Sequence, residues 1–347
     1  MIGMIATARR KPTGALPKKK NLIRTHRSRS PSKKRKYLGY RLIGSGTFGS
    51  VYKARTIAGK VVAIKSVKQD PQYKNRELEI LKILHSRYCI KLKDHYFTRK
   101  NNGKDVYLNI VMDYFPYTVH SYTMKLRDQQ KRIGNTLLKI LAYQIFAGLR
   151  YLHAKGIVHR DIKPENIMFS PVTGKLKITD FGSAKVIKPG DTSVSYIASR
   201  FYRAPELILG CEQYTGAIDV WAAGCVIAEM LRMGEVLFEG MTGTGQIIPI
   251  IQLLGKPTQS DLSSFQHTAP VPTSLTKPII KLEDQLPKTT NSKLIALLKQ
   301  IFVYNPTKRI TAAQCLQHPY FEDLFKEGKM IPNTDRPVAS IINRQLP

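Results

Sequence analysis

The sequence predicts an α+β fold in two lobes, a small β-rich lobe with one main helix followed by a larger α-helical lobe. Two observations carry this. The hydrophobic period changes from strand-like to helical near Tyr114. The length of 347 residues suggests two folding units at roughly 150 residues each. With 42% hydrophobic and 9% aromatic residues, the chain can fill a sizeable core.

The small lobe reads as residues 37–114, with β-rich runs at Tyr40–Ile43, Ser50–Ala54, Lys60–Lys65 and Val106–Met112. One helix interrupts them between Arg76 and Leu84, where Leu78, Leu81, Ile83 and Leu84 recur at helical spacing. The large lobe, residues 115–325, carries helical patterns at Thr136–Leu152, Ala217–Met233, Gly245–Leu254, Ser292–Phe302 and Ala312–His318. A Pro/Ser/Thr-rich stretch at about 256–288 reads as an insert between helices, and 326–347 as a C-terminal extension. Residues 1–36 stand apart. They hold 13 of the 56 basic residues and no acid, so a disordered basic tail is expected.

Charge and composition narrow the function classes. The net charge is +32, and beyond the tail 43 basic residues face 24 acids, a surplus of 19. Such a surface favours anionic partners, whether nucleic acid, acidic peptides or phosphoproteins, without choosing among them. The longest uninterrupted apolar stretch, Val220–Ala228, has nine residues, where a membrane helix needs about 20. The N-terminus turns basic after a very short apolar run, the reverse of a secretory signal. Cys89, Cys211, Cys225 and Cys315 lie far apart with no CxxC. They read as reduced thiols of an intracellular protein of the cytoplasm or nucleus.

Several motifs carry chemistry. Gly44-Ser-Gly46-Thr-Phe-Gly49-Ser-Val51 places three glycines between two strand-like runs, where bare amides can meet phosphate. A dinucleotide site needs a strand feeding a helix, and here strands flank both sides. Val62-Ala63-Ile-Lys65 ends an apolar run on a lysine, with Glu77 on the next helix as its expected partner. His159-Arg160-Asp161-Ile-Lys163-Pro-Glu165-Asn166 follows the long helix, and Asp180-Phe181-Gly182 follows a short strand. Asp161 can accept a hydroxyl proton and Lys163 can steady a moving phosphoryl group. Asn166 and Asp180 offer hard oxygen ligands for Mg²⁺. Ala204-Pro205-Glu206 and Asp219-Val-Trp-Ala-Ala-Gly224 lie downstream.

Six such elements in this order resemble the eukaryotic protein kinase family over roughly Tyr37–Phe325. The resemblance implies a bilobal protein kinase fold with Mg·ATP in the cleft. It makes Asp161 the catalytic base, assisted by Lys163, and has Lys65, paired with Glu77, hold the α/β phosphates. Nucleotide contacts fall to Ile43, Gly44, Gly46, Gly49, Val51, Ala63 and Lys65, and to the hinge at Asp113 and Phe115. Met112 becomes the gatekeeper, and Asn166 and Asp180 bind the metal. Glu206 is expected to pair with Arg309, and Asp219 to anchor the catalytic loop. Lys163 argues for Ser/Thr over Tyr as acceptor.

Finer motifs narrow the group. Ser195-Tyr196-Ile-Ala-Ser199-Arg200-Phe-Tyr-Arg203-Ala-Pro-Glu206 and the insert after Leu253-Leu-Gly-Lys-Pro257 are similar to the CMGC group. Lys74-Asn-Arg76-Glu77-Leu, Asp180-Phe-Gly-Ser-Ala-Lys185 and Ser195-Tyr196-Ile resemble glycogen synthase kinase-3 and its shaggy-like relatives. By that resemblance Arg76, Arg160 and Lys185 converge beside the active site. Three cations about 6 Å apart repel by about 3 kcal/mol per pair at an effective dielectric near 20, before screening. Such a cluster favours a dianion, which the family supplies as a priming phosphate on the substrate, four residues C-terminal to the target Ser/Thr. Thr192, Ser193, Ser195 and Tyr196 are the chain's own candidates for the same pocket. Tyr196 resembles the family's activation-loop phosphotyrosine, with Arg200 and Arg203 as phosphate partners.

Departures from the family pattern matter. Glu165 stands where close relatives usually have glutamine, and Ser121 where an arginine is usual. The stretch from Ser263 to Pro287 lacks the aromatics of a scaffold-docking loop, although Gly245–Leu254 keeps an apolar face for a scaffold protein. In the tail, Arg27-x-Arg29-x-x-Ser32 resembles a basic-directed kinase site, which raises an inhibitory phosphoserine against the alternative of nuclear import or weak nucleic-acid contact. Two other readings stay open, an unprimed proline-directed CMGC kinase and a basic nucleic-acid-binding or scaffold protein on a kinase fold.

Overall fold

Five antiparallel strands open the fold: β1 (Tyr37–Gly46), β2 (Gly49–Thr56), β3 (Val61–Lys68), β4 (Leu92–Lys100) and β5 (Asp105–Asp113), in the order β1-β2-β3-β5-β4. The computed structural model describes residues 36–46, 49–70, 75–188, 190–243, 245–266, 269–271 and 280–344. Expectations on the basic tail with Ser32, on Thr47 and Phe48, on Lys74 and on the middle of the insert lie outside these.

Strand alternation sorts the sheet into two faces. Val62 and Ile64 of β3 join Tyr37, Ala54 and Val111 in a small outer core, with Tyr96 packed against it. Ala63 and Lys65 point the other way, and Val51, opposite Lys65 in the β2–β3 ladder, shares their side. Helix α1 (Arg76–Ile83) starts at Asn75, whose side chain accepts from the Leu78 amide at 2.9 Å. It buries Leu78, Ile80 and Leu81 in the main core and Glu77 with them.

Beyond the sheet come α2 (Val119–Asp128), α3 (Asn135–Ala154), α4 (Pro205–Ile208), α5 (Ala217–Leu231), α6 (Ile247–Leu254), α7 (Gln259–Leu262), α8 (Ser292–Ile301) and α9 (Ala312–Gln317). Short strands punctuate them. β6 (Tyr117–Thr118), β8 (Ile167–Phe169) and β9 (Leu176–Ile178) form one small sheet, and β7 (Ile157–Val158) pairs with β10 (Lys185–Val186). The core runs through α3 and α5, both buried along most of their length. Trp221 stacks on Phe238 and meets Phe302 edge-on.

The expected helices appear with ends shifted by a few residues and the short strand expected before Asp180 is β9, whereas β4, α2, α4, α7 and the other short strands are additions. The C-terminal extension is part of the core. Ile331, Val338, Ile341 and Ile342 are buried, and the Tyr143 hydroxyl on α3 donates to the Asn343 carbonyl at 3.1 Å. All four cysteines are buried free thiols. Among the described residues no helix is long and apolar enough to cross a membrane.

Candidate active site

The cleft-side face of β3 brings the first expected residues together. Lys65 Nζ donates to Glu77 Oε1 at 3.0 Å and Oε2 at 2.8 Å, and to Asp180 Oδ1 at 2.8 Å. Burial alone would push the Lys65 pKa down, but the charges of Glu77 and Asp180 outweigh it and hold the ammonium protonated. Burial likewise works against the Asp180 carboxylate, and the Lys65 charge reverses it, leaving the pKa below the ordinary range. Asp180 itself sits in the left-handed region, φ 61°. That conformation is uncommon for a non-glycine residue.

Asp161 lies at the centre of a second cluster. Its Oδ2 accepts from Asn166 Nδ2 at 3.0 Å and lies 3.1 Å from Lys163 Nζ. Asn166 Nδ2 also donates to the Asp161 carbonyl at 2.8 Å. With the amide so engaged, Asn166 Oδ1 remains an acceptor without a partner among the described residues, as does Asp180 Oδ2. Two such hard oxygens fit a divalent cation.

The loop carrying Asp161 is braced from below. Buried Asp219 on α5 accepts from the amides of His159 and Arg160, each at 2.9 Å, and lies 2.9 Å from His153 Nε2. Burial opposes its ionisation, yet these hydrogen bonds and the nearby histidines bring its pKa below the ordinary range. The brace holds Arg160 at φ 67°, a conformation that carries a strain cost. Glu206 and Arg309 form the expected pair, fully buried and bidentate at 2.8 and 2.9 Å.

The nucleotide positions are arranged around the same face. Gly49 has φ 126°, and a Cβ there would come within 2.1 Å of the Ser66 carbonyl oxygen. Only glycine fits. Val51 and Ala63 flank Lys65, and buried Met112 pairs with Ala63 across β3–β5. Ile43 is 46% exposed on β1 near Gly44 and Gly46. Phe115 makes no backbone hydrogen bond among the described residues, so its amide and carbonyl can meet the edge of a base. Asp113 is tied outward to Lys93 at 2.7 Å.

The three expected pocket cations differ in their contacts. Arg160 Nε donates to the Ser183 carbonyl at 2.6 Å and Nη1 to the Tyr214 hydroxyl at 3.0 Å. Lys185 Nζ donates to Ser193 Oγ at 2.6 Å and to the Thr192 carbonyl at 3.1 Å. Arg76 is exposed at the start of α1, the helix that packs on the Phe181–Ser183 turn. None of the three forms an ion pair with a carboxylate among the described residues.

The geometry is matched by likeness to known proteins. The family model described as "Protein kinase domain" matches residues 37–321. The chain belongs to the protein kinase family. The kinase is also 38% identical over 317 residues to protein kinase gsk3 of Schizosaccharomyces pombe, which spans 90% of this chain and 80% of that protein. It is a serine/threonine protein kinase similar to glycogen synthase kinase-3 and uses ATP and a divalent metal.

One site residue escapes motif reading. Ser199 donates from its amide at 3.1 Å and its hydroxyl at 2.9 Å to Asp161 Oδ1, and its hydroxyl accepts from Lys163 at 2.9 Å. The serine was visible only as one letter of the run ending at Glu206. The unusual Glu165 is half exposed, with His120 Nδ1 at 3.9 Å. Ser121 closes a capping box with Thr118 at the start of α2.

Proposed function

We propose that the kinase transfers the γ-phosphoryl group of ATP to Ser/Thr residues on proteins that already carry a phosphate four residues C-terminal to the target. The observation that carries this is the Arg76, Arg160 and Lys185 set, three cations whose only partners among the described residues, where they have any, are neutral carbonyl and hydroxyl oxygens. Cations left uncompensated beside a peptide-phosphorylating centre suit a phosphate dianion.

In this reading Asp161 accepts the acceptor hydroxyl's proton, and Lys163 stabilises charge on the moving phosphoryl group. Lys65, fixed by Glu77, holds the α/β phosphates. The amides of Gly44, Gly46 and Gly49 cover them, while Ile43, Val51, Ala63, Asp113 and Phe115 enclose the base. Asn166 and Asp180 hold Mg²⁺, which neutralises phosphate charge. Tyr196 is the activation-loop phosphosite. It is 75% exposed, with the Arg203 guanidinium 4.4 Å from its ring centre. A scaffold protein at α6 and the loop after it has Ile248 to grip, since Ile247 and Ile251 belong to the core.

The test is phosphate transfer to paired Ser-x-x-x-Ser peptides, one with phosphoserine at the second position, with Asp180→Ala as control. A preference for the primed peptide of about tenfold or more supports the reading. Equal use of both peptides leaves an unprimed kinase and overturns priming.

A further inference from the structure

We infer that a cavity on the large lobe, between α3, α9 and the C-terminal segment 331–344, binds a small phosphate monoester with an apolar body. None of the residues lining it belongs to the nucleotide, metal or cation-pocket sets, so this site is separate from the one that phosphorylates peptides. The cavity has a volume of about 320 Å³. That is the lower end of the range of about 300–1,000 Å³ for small-molecule sites.

Two distant parts of the chain bring its cations together. Tyr143 and Arg150 stand two helical turns apart on α3 and share one face. Arg344 follows the segment whose Ile331, Val338, Ile341 and Ile342 are buried in the core. Just before it, the Asn343 carbonyl accepts from the Tyr143 hydroxyl at 3.1 Å, a bond that brings Arg344 to the cavity that Arg150 also lines. The Arg344 guanidinium lies 5.3 Å from the centre of the Phe325 ring and forms no ion pair with a carboxylate among the described residues. Burial pushes the Tyr143 pKa up to about 12, and the charges of Arg150 and Arg344 pull against it. Both cations therefore lie within electrostatic reach of one hydroxyl.

The rest of the lining sets the ligand's chemistry. His318 Nδ1 accepts from the Tyr320 amide at 3.2 Å, and burial lowers the ring's pKa, helped by the Lys293 charge. At neutral pH its one proton therefore sits on Nε2, a donor with no partner among the described residues. Glu322, the one carboxylate in the lining, lies 3.1 Å from Lys293 Nζ and is compensated there. Guanidinium groups only donate. A lining so rich in donors calls for an anion rich in acceptors, and two guanidiniums match a phosphate dianion better than a single carboxylate. Leu316 of α9 adds apolar surface, and Phe321 and Phe325 each stand edge-on to Tyr143 at 5.4 Å. An apolar body attached to the phosphate packs against these side chains.

The test is calorimetric titration of phenyl phosphate into the full chain, with the nucleotide site filled by Mg²⁺ and a non-hydrolysable ATP analogue. One equivalent is expected to bind, at least about tenfold more weakly in Arg150→Met and in Arg344→Met. Methionine keeps the apolar stem of either side chain. Should Arg150→Met fail to fold, Arg344→Met decides alone, because that side chain is exposed and its variant should phosphorylate peptides at the native rate. Lys185→Met should leave the titration unchanged. Benzoate, with the same ring and a single charge, should bind at least about tenfold more weakly, and so should a phosphotyrosine pentapeptide, too large for the cavity. Absence of binding overturns the inference, as does binding that survives Arg344→Met or equal affinity for benzoate. Loss of binding in Lys185→Met would place the probe in the cation pocket and overturn it as well. A pentapeptide that binds as tightly as phenyl phosphate would give the site to phosphoproteins and exclude the small ligand.

Discussion

Ser199 Oγ lies 2.9 Å from Asp161 Oδ1 and 2.9 Å from Lys163 Nζ, tying two catalytic-loop side chains to a residue 38 positions away from the aspartate. The hydroxyl spends its proton on the carboxylate and its lone pair on the ammonium. It thereby sets the direction of both groups without entering the reaction. Ser199→Ala is expected to lower kcat about tenfold with KM for ATP unchanged, and Ser199→Thr to restore most of it. Steady-state kinetics with ATP and peptide varied separately checks the split. An unchanged kcat in the alanine variant would remove the positioning role.

Gly49→Ala tests the phosphate-covering hairpin. A methyl group 2.1 Å from the Ser66 carbonyl oxygen, on a backbone at φ 126°, forces β2 away from β3. The variant is expected to lose about 1–3 kcal/mol of stability and to raise KM for ATP more than KM for peptide. Thermal unfolding measures the first effect, and steady-state kinetics with ATP and peptide varied separately measures the second.

Glu229 gives the kinase a pH-dependent stability. The carboxyl is 4% exposed and accepts from the Tyr202 hydroxyl at 2.7 Å. Burial raises its pKa to about 7, against a modest opposing effect of that hydrogen bond. The folded chain therefore keeps a proton that the unfolded chain releases near the ordinary value of 4.5. The contribution is full below that value and is lost as pH rises through about 7. Glu229→Gln should remove the loss, so its Tm relative to the native chain climbs between about pH 5 and pH 8, by on the order of 1–3 kcal/mol in stability. A difference independent of pH would refute the assignment.

Arg309→Lys probes the buried pair with Glu206. Lysine keeps the charge but cannot reproduce the two parallel bonds to the carboxylate or the added bonds to the Val303 and Ala217 carbonyls. Loss of about 3–5 kcal/mol is expected, read as a lower denaturation midpoint in urea. A midpoint within error of the native chain would mean the lysine is accommodated.

Much of the site could be read from the sequence because its chemistry sits in short local runs. Lys65, Glu77, Asp161, Asn166 and Asp180 each stand in a distinctive neighbourhood, and the fold only had to bring those neighbourhoods together. Strand β4 was hidden because Lys93, Asp94, His95, Thr98, Arg99 and Lys100 make it polar. It borders the sheet with one face in water, so little apolar alternation survives. Helix α2 buries only Val119 and Thr123, too few to mark a helical period. Ser199 and Glu229 act through partners distant in sequence, and a lone hydroxyl or carboxylate announces nothing until the chain has folded.

The packing of residues 331–342 separates two boundaries that are easily equated. The match to the family model ends at residue 321, but the folding unit continues. The Ile331 and Ile341 side chains pack so closely on Gly174, in the turn between β8 and β9, that a Cβ there would lie 2.9 Å from each and oblige them to shift. A recombinant fragment cut at residue 321 would lay bare the apolar core surface that Ile331, Val338, Ile341 and Ile342 cover, with the Tyr143 hydroxyl stripped of its acceptor. Poor yield from such a fragment would reflect a severed core and would say nothing about the catalytic machinery. The terminal strap acts as a clasp on the large lobe, and anyone trimming the gene for expression should keep it whole.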